Sequence, residues 1–270
     1  MRLMYLKTSG VQLDADYSRE MLRMMQDEGL MDGIDCDFDP GPDVPVVQGR
    51  AAMRRYEAGI LDRVRKWVDT RRYDAIVLQS ILDPALFAAR EISPIPVLGC
   101  TESAVHLASM LGSRFSFLCT VPVETKMLPQ HVAVYGLSQK LASIRCINLP
   151  VPDVKLRKAP TALLDAMEDA AVKAIESDGA EVLILGCTGL SWMAPDLRRR
   201  LAVRGMPAPV IQPVWAAVAF ARMHVMLNMR HSPLAYPPAI EESPNMPAVP
   251  ASSLAAKSAG KAMQAPAPHR

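Results

Sequence analysis

Val182-Leu183-Ile184-Leu185-Gly186-Cys187-Thr188 is the stretch from which the rest of this chain can be read. Four apolar residues in succession, with no polar alternation, suit a strand buried on both faces, as in a parallel sheet covered by helices. The Gly-Cys-Thr that follows delivers a thiol to the carboxyl end of that strand, where the next backbone N–H groups are free to hold an anion. Positive dipole ends at such a place lower a thiol's pKa from about 8.5. Leu-Gly-Cys-Thr occurs a second time, after Ile95-Pro96-Val97, and ends there in Cys100-Thr101. Paired thiols suggest proton chemistry at carbon without a cofactor, and the repeat invites a reading as two related halves.

Working outward from these two runs, strand and helix signals alternate. Strands are expected at Leu3–Leu6, Asp74–Gln79, Pro96–Gly99, Phe115–Cys119, Ile144–Leu149, Glu181–Gly186 and Val210-Ile211. Between them, Met53, Tyr56, Ile60, Leu61, Val64, Trp67 and Val68 recur at spacings of three and four, the pattern of an amphipathic helix. Further helices are expected over 18–30, 101–111, 161–177, 196–203 and 214–229, and in the segment leading to Tyr135. Gly112, Gly136 and Gly179 supply the stops. Such alternation argues for parallel sheets covered by helices. Beyond Tyr236, Pro, Ala, Ser and Lys dominate without apolar periodicity, so residues 241–270 are expected to be a disordered tail.

The totals narrow the function. A chain of 270 residues, half of them apolar and 21% charged, has room for a well-buried core. A formal charge of +2 gives no footing for a nucleic-acid or membrane partner, and no apolar stretch approaches the roughly 20 residues of a membrane span. Arg54-Arg55, Arg71-Arg72 and Arg198-Arg199-Arg200 read as solvated helix faces. Five cysteines without C-x-x-C spacing, and five scattered histidines, fit a reducing, cytoplasmic setting better than disulfides or a zinc site.

Several segments together resemble the aspartate/glutamate/hydantoin racemase superfamily, and most closely its hydantoin/allantoin racemase branch. They are Gly41-Pro42; Asp83-Pro84-Ala85-Leu86 with Ala89-Arg90-Glu91; Pro96-Val97-Leu98-Gly99 with Glu102-Ser103-Ala104; Leu111-Gly112-Ser113-Arg114-Phe115-Ser116; Tyr135-Gly136-Leu137; Leu185-Gly186-Cys187; and Pro209-Val210-Ile211. They run in family order over residues 1–235. The resemblance implies an α/β fold of two similar three-layer lobes, with mostly parallel sheets facing each other across a cleft. Residues 1–102 plus 207–240 would form the first lobe and 103–206 the second. It also implies a small-molecule substrate, a symmetric homo-oligomer, and a mechanism with neither cofactor nor metal. In that mechanism two cysteines work on opposite faces of the substrate carbon.

Cys187 falls on the family's second catalytic cysteine. The first falls at position 80, where this chain has Ser80, a far weaker acid than a thiol. Tyr5-Leu6-Lys7-Thr8-Ser9 stands where the branch has Asn-Pro-Asn-Thr-Ser, and Val44-Pro45-Val46 departs from its Ser-Ile-Glu. Cys100 offers an alternative second thiol, with core packing as the plain explanation. Thr8, Ser9, Thr120, Thr188 and Gly189 are candidate substrate contacts, and Lys7 is expected at the surface. Asp83 reads as a helix N-cap, and Cys119 and Cys146 as core. Three functions follow in order: a racemase or epimerase acting on a hydantoin or amino-acid-like acid; a single-cysteine decarboxylase or isomerase that protonates one face of an enolate; or a silent ligand-binding relative.

Overall fold

The computed structural model describes residues 1–8, 15–41, 49–149 and 160–238. Ser9, Val44-Pro45-Val46 and the 241–270 tail lie outside them. Along the chain, β1 (Arg2–Lys7), α1 (Ala15–Asp27), β2 (Asp35–Asp39), α2 (Arg50–Asp69), β3 (Ala75–Gln79), α3 (Leu86–Glu91) and β4 (Val97–Gly99) are followed by α4 (Cys100–Leu111). Then come β5 (Phe115–Cys119), α5 (Pro122–Val134), β6 (Leu141–Cys146), α6 (Pro160–Glu176), β7 (Val182–Leu185), α7 (Ala194–Val203), β8 (Val210–Ile211) and α8 (Pro213–Met226), with 3-10 turns at Ser138–Lys140 and Thr188–Met193.

Two four-stranded sheets result, ordered β2-β1-β3-β4 and β6-β5-β7-β8, and every pairing is parallel. The two orders are the same pattern repeated, so β1 corresponds to β5, β2 to β6, β3 to β7 and β4 to β8. Each sheet is covered on both faces, as its apolar runs require. On the first, Leu3, Tyr5, Ala75 and Val77 pack toward α1 and α8, while Met4, Leu6, Ile76 and Leu78 pack toward α2. On the second, Leu183 and Leu185 face α6 and α7, while Phe115, Phe117 and Ile184 face α4 and α5. The segment after residue 207 serves both lobes: β8 pairs with β7, and α8 then packs on β3, β4 and α4.

The strand β2 has no counterpart in the expected pattern. Its Asp35-Cys36-Asp37-Phe38-Asp39 carries three carboxylates on a sheet edge; Asp35 is exposed near Arg2, and the other two are held by donors from elsewhere. Asp37 accepts from Arg2 Nη2 at 2.9 Å and from Tyr73 Oη at 2.7 Å, and the buried Asp39 accepts from Arg63 Nη1 at 2.7 Å. Expected at Ile144–Leu149, β6 instead begins at Leu141 and ends at Cys146. The opposite edge of the first sheet, β4, is closed by side chains. Val97 N–H donates to His231 Nε2 at 2.9 Å, and Arg90 Nε donates to Val97 O at 3.1 Å. Burial and the neighbouring Arg90 charge hold the His231 pKa down at about 4, so the ring stays neutral and able to accept.

The twin tetrapeptides end different strands. Cys100 follows β4, whereas Cys187 follows β7, whose counterpart in the first lobe is β3. Ser80, not Cys100, therefore occupies the place in the first lobe that Cys187 holds in the second. What the twins share is steric. A Cβ on Gly186 would lie 2.5 Å from Cys119 Sγ and 2.9 Å from both Cys119 Cα and Leu118 O; one on Gly99 would lie 2.6 Å from Asp83 Cγ. Gly186→Ala, which meets backbone as well as sulfur, is expected to cost at least about 2 kcal/mol. Urea unfolding checks this; a midpoint equal to that of the parent protein would show that the strands can move apart.

Candidate active site

The two sheets meet through the carboxyl ends of their corresponding strands. Gln79, the last residue of β3, is 2% exposed, and its Nε2 donates to Thr188 Oγ1 at 3.3 Å. Gln79 of the first lobe and Thr188 of the second are thereby tied together, each one residue away from Ser80 and Cys187 respectively. Cys187 is extended (φ −147°, ψ 131°) and 5% exposed, and its carbonyl accepts from Leu190 N–H at 3.0 Å as the chain turns into the 188–193 segment. Thr188 and Gly189 are buried in that turn.

Ser80 is half-buried, and its Oγ accepts from Leu82 N–H at 3.2 Å. That bond leaves the hydroxyl hydrogen free to donate. Thr8 follows β1 as Thr120 follows β5, so these two hydroxyls are also counterparts. Thr8 Oγ1 donates to Gln79 O at 3.0 Å. Thr120 is fully buried and adjoins Cys187 where the β5–β7 register continues past Leu118↔Leu185.

Cys100 follows a different strand, and its thiol meets the Ser80 backbone. It opens α4 with its thiol fully buried, in van der Waals company with Leu3, Tyr5, Val77 and Val214, and donates to Leu78 O at 3.3 Å. Burial, aided by the charge of Asp83, pushes its pKa well up rather than down. Lys7, expected at the surface, is 4% exposed. It lies level with Gln79 in the β1–β3 register, and paired residues of a parallel sheet present their side chains to the same face.

Two buried carboxylates sit at helix N-termini, where N–H groups and the helix dipole favour anions. Asp83 does not cap the helix that follows it. It accepts from Thr101 N–H at 3.0 Å and Glu102 N–H at 2.8 Å at the start of α4, and from Tyr135 Oη at 2.7 Å. Complete burial still pushes its pKa up to about 6. Glu124 accepts from Thr120 N–H at 3.0 Å and Val121 N–H at 3.3 Å, and burial raises it to about 7. It also touches the Cys119 thiol. Glu124 was invisible in sequence, because an acid three residues into a helix is ordinarily just a cap. A cavity of about 530 Å³ between α2, α3 and α5 is lined by Met53, Leu86, Met127 and Val134 and reaches neither Ser80 nor Cys187. Among the described residues, no cluster of His, Cys, Asp or Glu could hold a metal, and no helix is long and apolar enough to cross a membrane.

The model of the Asp/Glu/Hydantoin racemase family matches residues 15–221. This chain belongs to that family. It is 36% identical over 176 residues to the hydantoin racemase of Pseudomonas sp. (strain NS671), a match covering 65% of this chain and 68% of that protein. Among solved structures, the allantoin racemase from Klebsiella pneumoniae superposes with a TM-score of 0.76 at 26% identity, over 91% of this chain and 97% of its own. A mutant of arylmalonate decarboxylase with cysteine in place of a glycine gives a TM-score of 0.55 at 15% identity, over 84% and 94%, a likeness of fold alone. The protein is thus a racemase-family isomerase built on two similar lobes, as its sequence segments implied.

Glu124 generates a sign-specific prediction. Its folded pKa lies above the ordinary carboxylate value of 4.5, so its contribution to stability is fully present below that value and is lost as pH rises toward about 7. Glu124→Gln has no proton to lose. The Tm of the parent relative to this variant is therefore expected to fall between pH 4.5 and pH 7.5. A constant difference measured by calorimetry across that range would contradict it.

Proposed function

We propose that this protein is a cofactor-independent racemase or epimerase of a small molecule whose acidic C–H adjoins a carbonyl, a 5-substituted hydantoin or an amino-acid-like acid. The observation that supports the reading is the hydrogen bond from Gln79 to Thr188, which links the ends of β3 and β7 one residue from each of Ser80 and Cys187. The substrate carbon would lie between these two residues. As thiolate, Cys187 takes the proton from one face and becomes a thiol. The hydroxyl of Ser80 donates a proton to the other face and is reprotonated from solvent, while Cys187 releases the proton it took to solvent and returns to thiolate. Proton transfer by positioned groups contributes about 10²–10⁴-fold. The remainder comes from donors aimed at the oxygen on which charge collects; the backbone around Thr188 and Gly189 is suited to that task, with Thr8 holding the Gln79 backbone in place and Thr120, whose N–H and hydroxyl both donate to Glu124, lining the site beside them. The buried Lys7, level with Gln79, adds a positive charge on the same sheet face and favours a substrate that carries or develops negative charge.

One observation favours a second reading. Ser80 Oγ accepts a backbone N–H, and among the described residues no carboxylate or imidazole bonds to it, so nothing there activates it as a base. A single thiol working one face suits a decarboxylase or isomerase that protonates an enolate from the Cys187 side.

Incubation in heavy water separates the two. For the racemase, deuterium enters the stereocentre of either enantiomer of a 5-substituted hydantoin or an amino acid. Cys187→Ala then removes at least about 10³-fold of the rate, and Ser80→Ala removes about 10–100-fold. If Ser80→Ala changes nothing and a prochiral malonate gives carbon dioxide and one product enantiomer, the one-faced reading replaces it. Absence of exchange with every hydantoin and amino acid tried would sink the racemase reading.

A further inference from the structure

Gln79 is left with half of its side chain unused. Its Nε2 is spent on Thr188, but Oε1 is buried and, among the described residues, has no hydrogen-bond donor. Leaving a buried acceptor unpaired costs about 1–3 kcal/mol, and native structures keep few such groups without a purpose. The surrounding geometry fixes this one firmly. The residue ends a central strand, its own carbonyl accepts from Thr8 Oγ1 at 3.0 Å, and it is 2% exposed. It also sits at the junction of the two lobes, one residue from Ser80 and bonded to the residue after Cys187.

We infer that Gln79 determines substrate specificity by accepting a hydrogen bond from a substrate N–H through Oε1. The inference rests on the substrate site proposed above and narrows it. An amide oxygen attracts a donor and repels another acceptor, so a carboxylate or ester oxygen does not fit at this point. A ring or chain N–H one or two bonds from the reacting carbon does, as in a hydantoin, another cyclic ureide or an N-acylated amino acid. Sites built around a hydrogen bond to substrate discriminate strongly against analogues that lack it, because the buried partner is then left unpaired. The side chain whose Nε2 reaches Thr188 thus also selects, through Oε1, what lies between the lobes.

The test uses 5-benzylhydantoin and its N1-methyl and N3-methyl derivatives, with the full-length parent, Gln79→Met and Thr188→Ala. Binding is read by calorimetry and turnover by deuterium entry at C5. Comparing each ligand across the proteins cancels the effect of methylation on the ring's own acidity. One of the two methyl groups is expected to weaken binding to the parent by at least about tenfold, the equivalent of a hydrogen bond worth 1.4 kcal/mol. Gln79→Met is expected to erase that difference, while Thr188→Ala, which breaks the tie but spares the acceptor, keeps it. Equal binding of all three rings to the parent, no binding of any of them, or the same loss of discrimination in both variants overturns the assignment. Selective binding without deuterium entry supports Gln79 and removes the racemase reading; deuterium entry that ignores methylation and Gln79 does the reverse.

Discussion

Two parallel sheets, each closed on both faces by helices, can present chemistry only at their carboxyl ends. Helix α4 packs on both sheets, and the bond from Gln79 to Thr188 links those ends across the lobes. Everything proposed for the site depends on this junction. Across it Gln79 and Thr188 meet despite a separation of 109 positions in the chain. Without it, Cys187 would be one more buried thiol in a lobe that already contains Cys119. Burial alone makes a thiol inert, because desolvation disfavours its charged form; both Cys100 and Cys119 behave in that way. A partner lobe is what can turn position into function.

The fold was legible where strands are fully buried. The β3, β4, β5 and β7 runs are uninterrupted apolar segments because both faces of each are covered. Edges were harder to read. The three aspartates of β2 carry no strand signal, since their pairing depends on Arg2, Arg63 and Tyr73 from distant positions. In β6 the side chains are only partly buried, so its apolar content does not mark its ends. For the proposed site, family resemblance points to positions 187 and 80, whereas nothing in the sequence points to Gln79. A glutamine at a strand terminus looks like the start of a loop until the other lobe arrives to bury it.

The repeated Leu-Gly-Cys-Thr shows how similar words can carry different meanings. Both glycines are there because a neighbouring residue comes too close for a side chain, Asp83 in one case and β5 in the other. The cysteines that follow then diverge. After β4 the chain enters α4 at once and turns Cys100 back toward Leu78 O, whereas after β7 it stays extended through Cys187. The true repeat lies in strand order, where Thr8 answers Thr120 and Ser80 answers Cys187. Two carboxylates add a further parallel: Asp83 in the first lobe and Glu124 in the second each neutralise a helix N-terminus from inside the protein, at the cost of a raised pKa.

The closed edge of β4 has a consequence for how this molecule can meet others. An outer strand with open N–H and C=O groups is a template on which a foreign strand can add. Here the donor of Val97 is taken by a neutral imidazole and its acceptor by a guanidinium, so that rim offers no free rungs. The imidazole comes from residue 231, beyond α8, and Tyr236 binds the same guanidinium at 3.0 Å. The stretch from 231 to 236 therefore acts as a guard rail for the sheet as well as an extension of it. Removing it would expose a sticky border, and the resulting aggregation would masquerade as lost activity.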